Sequence, residues 1–183
     1  MYESCDFSDI GLGKNAKSMI TSVIWNIGGV KWDQIRRAEN SYINERGQQG
    51  GKICDIESEY NGGKSCTDTV NRTTEWYGKI GLIYPSDYMY ASTNSNCRTS
   101  SIDSTNLYCK NDNWLYAGYS YWFLTPSPTD GYSTAPWYAY SKGNINNDAA
   151  ARNFGIRPSL YLNSSIKIIG GNGSSSLPYI LEI

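Results

Sequence analysis

Apolar residues Met19, Ile20, Val23 and Ile24 recur at helical spacing behind Asn15, a good N-cap, and predict a helix beginning near residue 15. The second half of that segment, residues 23–27, is β-branched and aromatic, so helix is expected to pass into strand before the Gly28-Gly29 stop. Residues 31–50 read two ways: Trp32, Ile35 and Ala38 suit a helix, whereas Tyr42-Ile43 suits extended chain. Residues 47–74 are polar and glycine-rich and read as a loop excursion, with residues 48–74 as a local insertion. Residues 78–91 predict a buried strand ending at Pro85, then a turn or helix start capped by Ser86 or Asp87. After a second polar loop at 92–113 come short strands at 121–125, 137–141, 156–162, 166–169 and 179–181, with a GGNG turn at 170–173.

Helix in the N-terminal third followed by short strands and long loops predicts an α+β fold with an antiparallel sheet. A length of 183 residues fits one globular domain over 1–183. No apolar run is long enough to cross a membrane, so no membrane contact is expected of this segment. There is also no signal-like start, and an exported protein would have its export or anchoring segment upstream.

Composition changes this picture in three ways. Leu, Ile and Val total 30 against 25 aromatics, so the core must lean on Tyr, Trp and Phe. There is no histidine, which removes Ser-His-Asp and Cys-His catalysis and His-ligated zinc. The net charge of −1 gives no field toward nucleic acid, and no cofactor is expected. Among the five cysteines, Cys54 and Cys66 are twelve apart, as are Cys97 and Cys109, each pair within a polar loop. With no CxxC, the expectation is two disulfides and an oxidising compartment, with Cys5 left over.

The phrases WYGKIGLIYPSDYMYA, NDNWLY, YWFLTPSP and FGIRPSLYLNSSIKIIGGNGSSSLPY, with AKSMITSVIWNIGG and NERG (residues 44–47) upstream, resemble a bacterial family. Its members come mostly from gut Firmicutes and often begin with a prepilin-type signal and hydrophobic helix. More distantly, the order of Trp-rich strand, Gly turn and Gly-Ile-Arg-Pro strand is similar to C-type-lectin-like and formylglycine-generating-enzyme-like folds. The resemblance implies an extracellular, surface-displayed domain on a pilin-like stem and a C-type-lectin-like architecture. It implies no activity, and other pilin subunits join the possible partners.

The richest stretch is residues 108–147, with seven tyrosines and Trp114, Trp122 and Trp137 among Ser, Asn and Gly, a mixture like a binding paratope. Tyr116, Tyr119, Tyr132, Trp137, Asn144 and Asn146 are the candidate ligand-binding residues, for a glycan or a host or partner protein. Alternation along residues 121–124 predicts Trp122 and Leu124 inward, with loop residues Tyr116, Tyr119 and Tyr132 exposed. Arg157 of the Gly-Ile-Arg-Pro run is expected to be structural, pairing with a carboxylate such as Asp87. Asp55, Glu57 and Glu59 share a face in extended chain, yet a solvated acidic loop explains them. Asn111, Asp112 and Asn113 offer clustered oxygen ligands, which a turn before Trp114 explains as well. The sequons at Asn71, Asn163 and Asn172 are coincidental in a bacterial chain. A non-catalytic adhesion or ligand-binding domain is therefore expected. A purely structural pilin head is the first rival, and a hydrolase using a cleft Asp/Glu pair is the second.

Overall fold

The computed structural model describes residues 12–27, 35, 37–46, 75–99, 109–127, 135–148 and 150–182. The chain has helices and several small antiparallel sheets, an α+β fold. It divides into two compact units, one of residues 1–23, 77–81 and 158–183 and one of residues 24–76 and 82–157. Strands β2 (Val23–Asn26), β3 (Glu75–Gly78) and β4 (Ile80–Leu82) carry residues of both.

In the first unit, α1 (Lys14–Met19) is short, because Ile20 turns extended at φ −96° and ψ 128° and starts β1 (Ile20–Thr21). The helix begins two residues earlier than expected, with Gly13 in place of Asn15 as N-cap; Asn15 lies inside the first turn, where its carbonyl accepts from Ser18 Oγ. Helix does pass into strand as the β-branched run suggests. The last carbonyls of α1 would otherwise lack donors. Ile20 N and Lys79 Nζ donate to Lys17 O, and Asn163 donates from its side chain to Ser18 O and from its backbone to Met19 O. β8 (Pro158–Leu162) lies between β1 and β4. Its register with β1 sets Ile20 against Leu162 and Thr21 against Tyr161. β9 (Lys167–Gly170) and β10 (Ile180–Glu182) form a separate two-stranded ribbon. Its turn needs Gly171 at φ +83°, where an added Cβ would also run into the backbone of Pro178.

The second unit holds the larger core. α2 (Ala38–Arg46) decides the part of the ambiguous segment that it covers: Tyr42 and Ile43 are helical, and both are exposed, so no apolar face required them to extend. α3 (Pro85–Tyr90) starts with Pro85 at N1, where a missing N–H costs nothing. Asp87 sits at N3 and accepts from Tyr84 N at 3.0 Å, a capping contact from inside the helix and not from the cap position. α4 (Ser95–Thr99) brings Cys97 to Cys109, and the two form a disulfide. The three-stranded antiparallel sheet runs β5 (Tyr121–Ser127), β6 (Ala135–Ala139), β7 (Ile145–Asn147). β7 is an element the hydrophobic pattern missed, since Asn146-Asn147 reads as loop.

Alternation along β5 holds, but its phase is opposite to that expected. Tyr121, Phe123 and Thr125 are buried, while Trp122 and Leu124 are on the less buried face. Trp122 finds its cover there, against Phe154 (4.7 Å between centroids) and Tyr138 (5.7 Å). Inside, Tyr88, Tyr121 and Phe123 form an aromatic triangle with centroids 5.7–6.3 Å apart. Each buried phenol reaches a carbonyl: Tyr88 donates to Gly143 O or Cys109 O, and Tyr121 to Leu115 O. That is the condition on which Tyr replaces Leu in a core.

Candidate functional site

The first part of the aromatic-rich stretch, residues 109–120, forms a loop that is fixed at many points ahead of β5. Its start is tied to α4 by the Cys97–Cys109 disulfide. Asp112 adopts φ 56°, a left-handed turn that Asp tolerates better than most residues. Asn113 is 8% exposed; its amide donates to Tyr88 O at 2.9 Å and its oxygen accepts from Leu115 N at 2.9 Å. Asn113 thus uses its side chain inside the turn, while Asn111 and Asp112 stand exposed. Among the described residues, no three of His, Cys, Asp and Glu group as a metal site.

Trp114 follows directly and is 76% exposed, the most exposed of the described large apolar residues. Its backbone is bound on both sides, by its own N–H to Ala91 O (3.4 Å) and by Thr93 N to Asp112 O (3.0 Å). An indole pointing into water from a backbone this constrained has lost hydrophobic burial without gaining loop freedom. Tyr119, 52% exposed, stands on the same loop with its ring against Gly155; a Cβ there would lie 2.7 Å from Tyr119 Cε2. The loop closes through Gly155 N to Ser120 O (2.9 Å) and Trp122 N to Gly155 O (3.0 Å). Gly155 therefore serves close approach, and the Gly-Ile-Arg-Pro run braces the loop from below.

Arg157 does the same with its charge. Its Nη1 donates to Leu115 O at 2.6 Å and its guanidinium lies 5.4 Å from the Tyr121 ring centroid. The expected pairing with Asp87 is not formed: Asp87 is taken by Arg46, at 3.2 Å. Both residues have structural contacts, with different partners.

The remaining candidates separate by burial. Tyr116 is half-buried and donates to Ser141 O at 2.8 Å, so it is less exposed than expected of a loop tyrosine. Trp137 is wholly buried and Asn144 is 2% exposed, which corrects their assignment to a contact surface. Trp137 faces the core from β6, and Asn144 closes the β6–β7 turn through Tyr140 N to Asn144 O (2.8 Å). Asn146 is half-buried, its side-chain oxygen accepting from Asn147 N at 2.9 Å. Tyr132, Cys54, Cys66, Cys5, Asp55, Glu57 and Glu59 lie outside the described residues.

A second polar centre joins two segments that lie far apart in the sequence. Glu45 and Arg46 of NERG meet Ser86 and Asp87 of YPSD. Glu45 is fully buried; Ser86 N donates to its Oε1 at 3.0 Å and Ser86 Oγ to its Oε2 at 2.5 Å. Arg46 bonds Glu45 (3.3 Å), Ser86 Oγ (3.1 Å) and Asp87 (3.2 Å), with its guanidinium 4.2 Å from the Tyr42 ring centroid and 4.4 Å from that of Tyr84. Loss of water pushes the Glu45 carboxyl up to about 7, against the lowering pull of the Ser86 bonds and of Arg46. Glu45 and Asp87 share one cation, and Glu45 has no surface for a substrate to reach.

No family model, no curated protein and no solved structure matches this chain. No helix among the described residues is long and apolar enough to cross a membrane.

Of the two exposed rings on this loop, Tyr119 is among the residues expected from the sequence and Trp114 is not. The signal was present: three turn-forming residues immediately before an indole put that indole at the outer edge of a turn.

Proposed function

We propose that this chain is a non-catalytic, extracellular ligand-binding or adhesion module, displayed on the bacterial surface by a pilin-like stem and C-type-lectin-like in architecture. Its contact surface is the loop of residues 109–120, and its ligand a glycan. The observation that carries this reading is the exposed Trp114 indole on a backbone held by the disulfide, the Asn113 side chain and the Arg157 brace. A preorganised aromatic ring binds without the cost of ordering a loop. Lys110 and Asp112 beside it are both exposed and opposite in sign, so the loop favours a neutral, hydroxyl-rich partner over a charged one. A disulfide fits the oxidising compartment that display requires. The reading calls for no cofactor and no nucleic acid.

The test is a glycan-array screen of the oxidised protein, followed by titration of any hit with Trp114→Ala and Tyr119→Ala. Trp114→Ala is expected to weaken binding at least about tenfold, the range of a contact hot spot, with the melting temperature unchanged. Absence of any glycan ligand, or binding indifferent to both substitutions, would overturn the assignment.

A further inference from the structure

We infer that the β9–β10 ribbon is a self-association surface, on which a second copy of this chain adds its own β9 strand antiparallel to the first. This stands apart from the glycan-binding loop and does not depend on it. A two-stranded ribbon is marginal in water unless a third strand or a packed face supports it. Among the described residues β9 has one strand neighbour, β10, and none of them pairs with the backbone of its other edge. The ribbon's apolar side chains are not turned inward: Ile168, Ile169, Leu177, Tyr179 and Ile180 are each more than half exposed. The irregularity that shifts register between Ile180 and Leu181 leaves Ile169 without a cross-strand partner and re-aims it.

The size and charge of the surface select the occupant. With roughly 100 Å² from each half-exposed large side chain, these five offer on the order of 500 Å², so two copies together reach about the 1,000 Å² that a specific interface needs. Charge on the paired strands is confined to Lys167 and Glu182, which face each other across the ribbon and leave it neutral, so no oppositely charged partner is called for. Antiparallel addition of β9 to a second β9 sets Ile168 against the second copy's Ile169 and puts the two lysines at opposite ends. The contact is isologous, without like charges opposed, and closes as a dimer. β-Branched Ile168-Ile169 suits such a central pair, and every β9 residue keeps its N–H, whereas Pro178 precedes β10.

Sedimentation velocity from about 1 to 200 μM protein should show a concentration-dependent dimer. Ile169→Lys should be monomeric at the highest concentration with an unchanged far-ultraviolet spectrum. Hydrogen exchange of the unsubstituted protein supplies a second readout free of mutation: amides of Ile168, Ile169 and Gly170 should slow as concentration rises. A protein monomeric throughout, or a dimer that survives Ile169→Lys with fast-exchanging β9 amides, overturns the inference.

Discussion

Glu45 has given up all contact with water, and the groups that replace water decide how it titrates. Ser86 supplies two hydrogen bonds and Arg46 a charge, all favouring the ionised form, yet desolvation outweighs them and the carboxyl is raised from 4.5 to about 7. A carboxyl raised on folding makes its contribution at low pH: stability is full below about 4.5 and falls as pH climbs toward 7. Over that window the loss amounts to about 3 kcal/mol. A chain without histidine has no imidazole titrating across the same range, so the signal is unusually clean. Urea midpoints at pH 5, 6 and 7.5 should fall in order for the natural protein and stay flat for Glu45→Gln, whose amide mimics the neutral acid. A flat profile for both would mean that Arg46 keeps Glu45 ionised in the fold. None of this was legible in the sequence. NERG and YPSD each stood out as phrases, but forty residues separate them and nothing in either announces the other.

At the scale of elements, hydrophobic rhythm located most of the strands and misjudged which way one of them faces. Tyr121-Trp122-Phe123-Leu124 is apolar at every position, so period-two alternation fixes that neighbours oppose each other but not which pair goes inside. Phe154 decides it, by covering Trp122 from outside the sheet at 4.7 Å. β7 was missed because its Asn146-Asn147 pair carries turn chemistry, and only pairing of Trp137 with Asn147 and of Tyr138 with Asn146 makes it a strand. The cysteine spacing was more informative. The Cys97–Cys109 bridge fastens α4 to the start of the loop that carries Trp114, and both cysteines are 1% exposed. Closing a loop of this length stabilises by about 3 kcal/mol in the chain-entropy model. The double variant Cys97→Ser/Cys109→Ser should lose about that amount in equilibrium urea unfolding under non-reducing conditions. A loss well under 1 kcal/mol would show that the loop's hydrogen bonds hold it without the bridge.

The whole molecule is marked by what fills it. With few aliphatic residues the second unit seats Tyr88, Tyr121, Phe123 and Trp137 in its core beside Ile35, Ile83, Met89, Leu115 and Ile145, and composition made that aromatic share legible. Which tyrosines are core was not, because a tyrosine in a loop and one in a strand look alike until the hydroxyl's partner is known. The structure divides them. Tyr88 and Tyr121 are fully buried, and burial drives both phenols far above the usual value of 10, while Tyr138, 5% exposed, is also raised by burial. Tyr77 and Tyr119 stand in water. For a raised phenol the sign is that of Glu45 moved up the scale: the unfolded chain releases the proton near pH 10 and the folded one does not, so stability is lost as pH rises beyond 10. Each fully buried tyrosine costs up to about 1.4 kcal/mol per pH unit there. Tyr88 and Tyr121 together should therefore make alkaline unfolding steep. Absorbance at the phenolate band, followed from pH 9 upward, should show an early non-cooperative phase from exposed tyrosines and then a cooperative phase. The second phase should coincide with loss of the near-ultraviolet circular dichroism of the core. Tyr121→Phe removes one delayed proton but strips Leu115 O of one of its two donors, leaving Arg157 alone on that carbonyl. The variant should be less stable at pH 7 and unfold less steeply with pH above 10. A single smooth titration of all 16 tyrosines would contradict the division of core from surface drawn here.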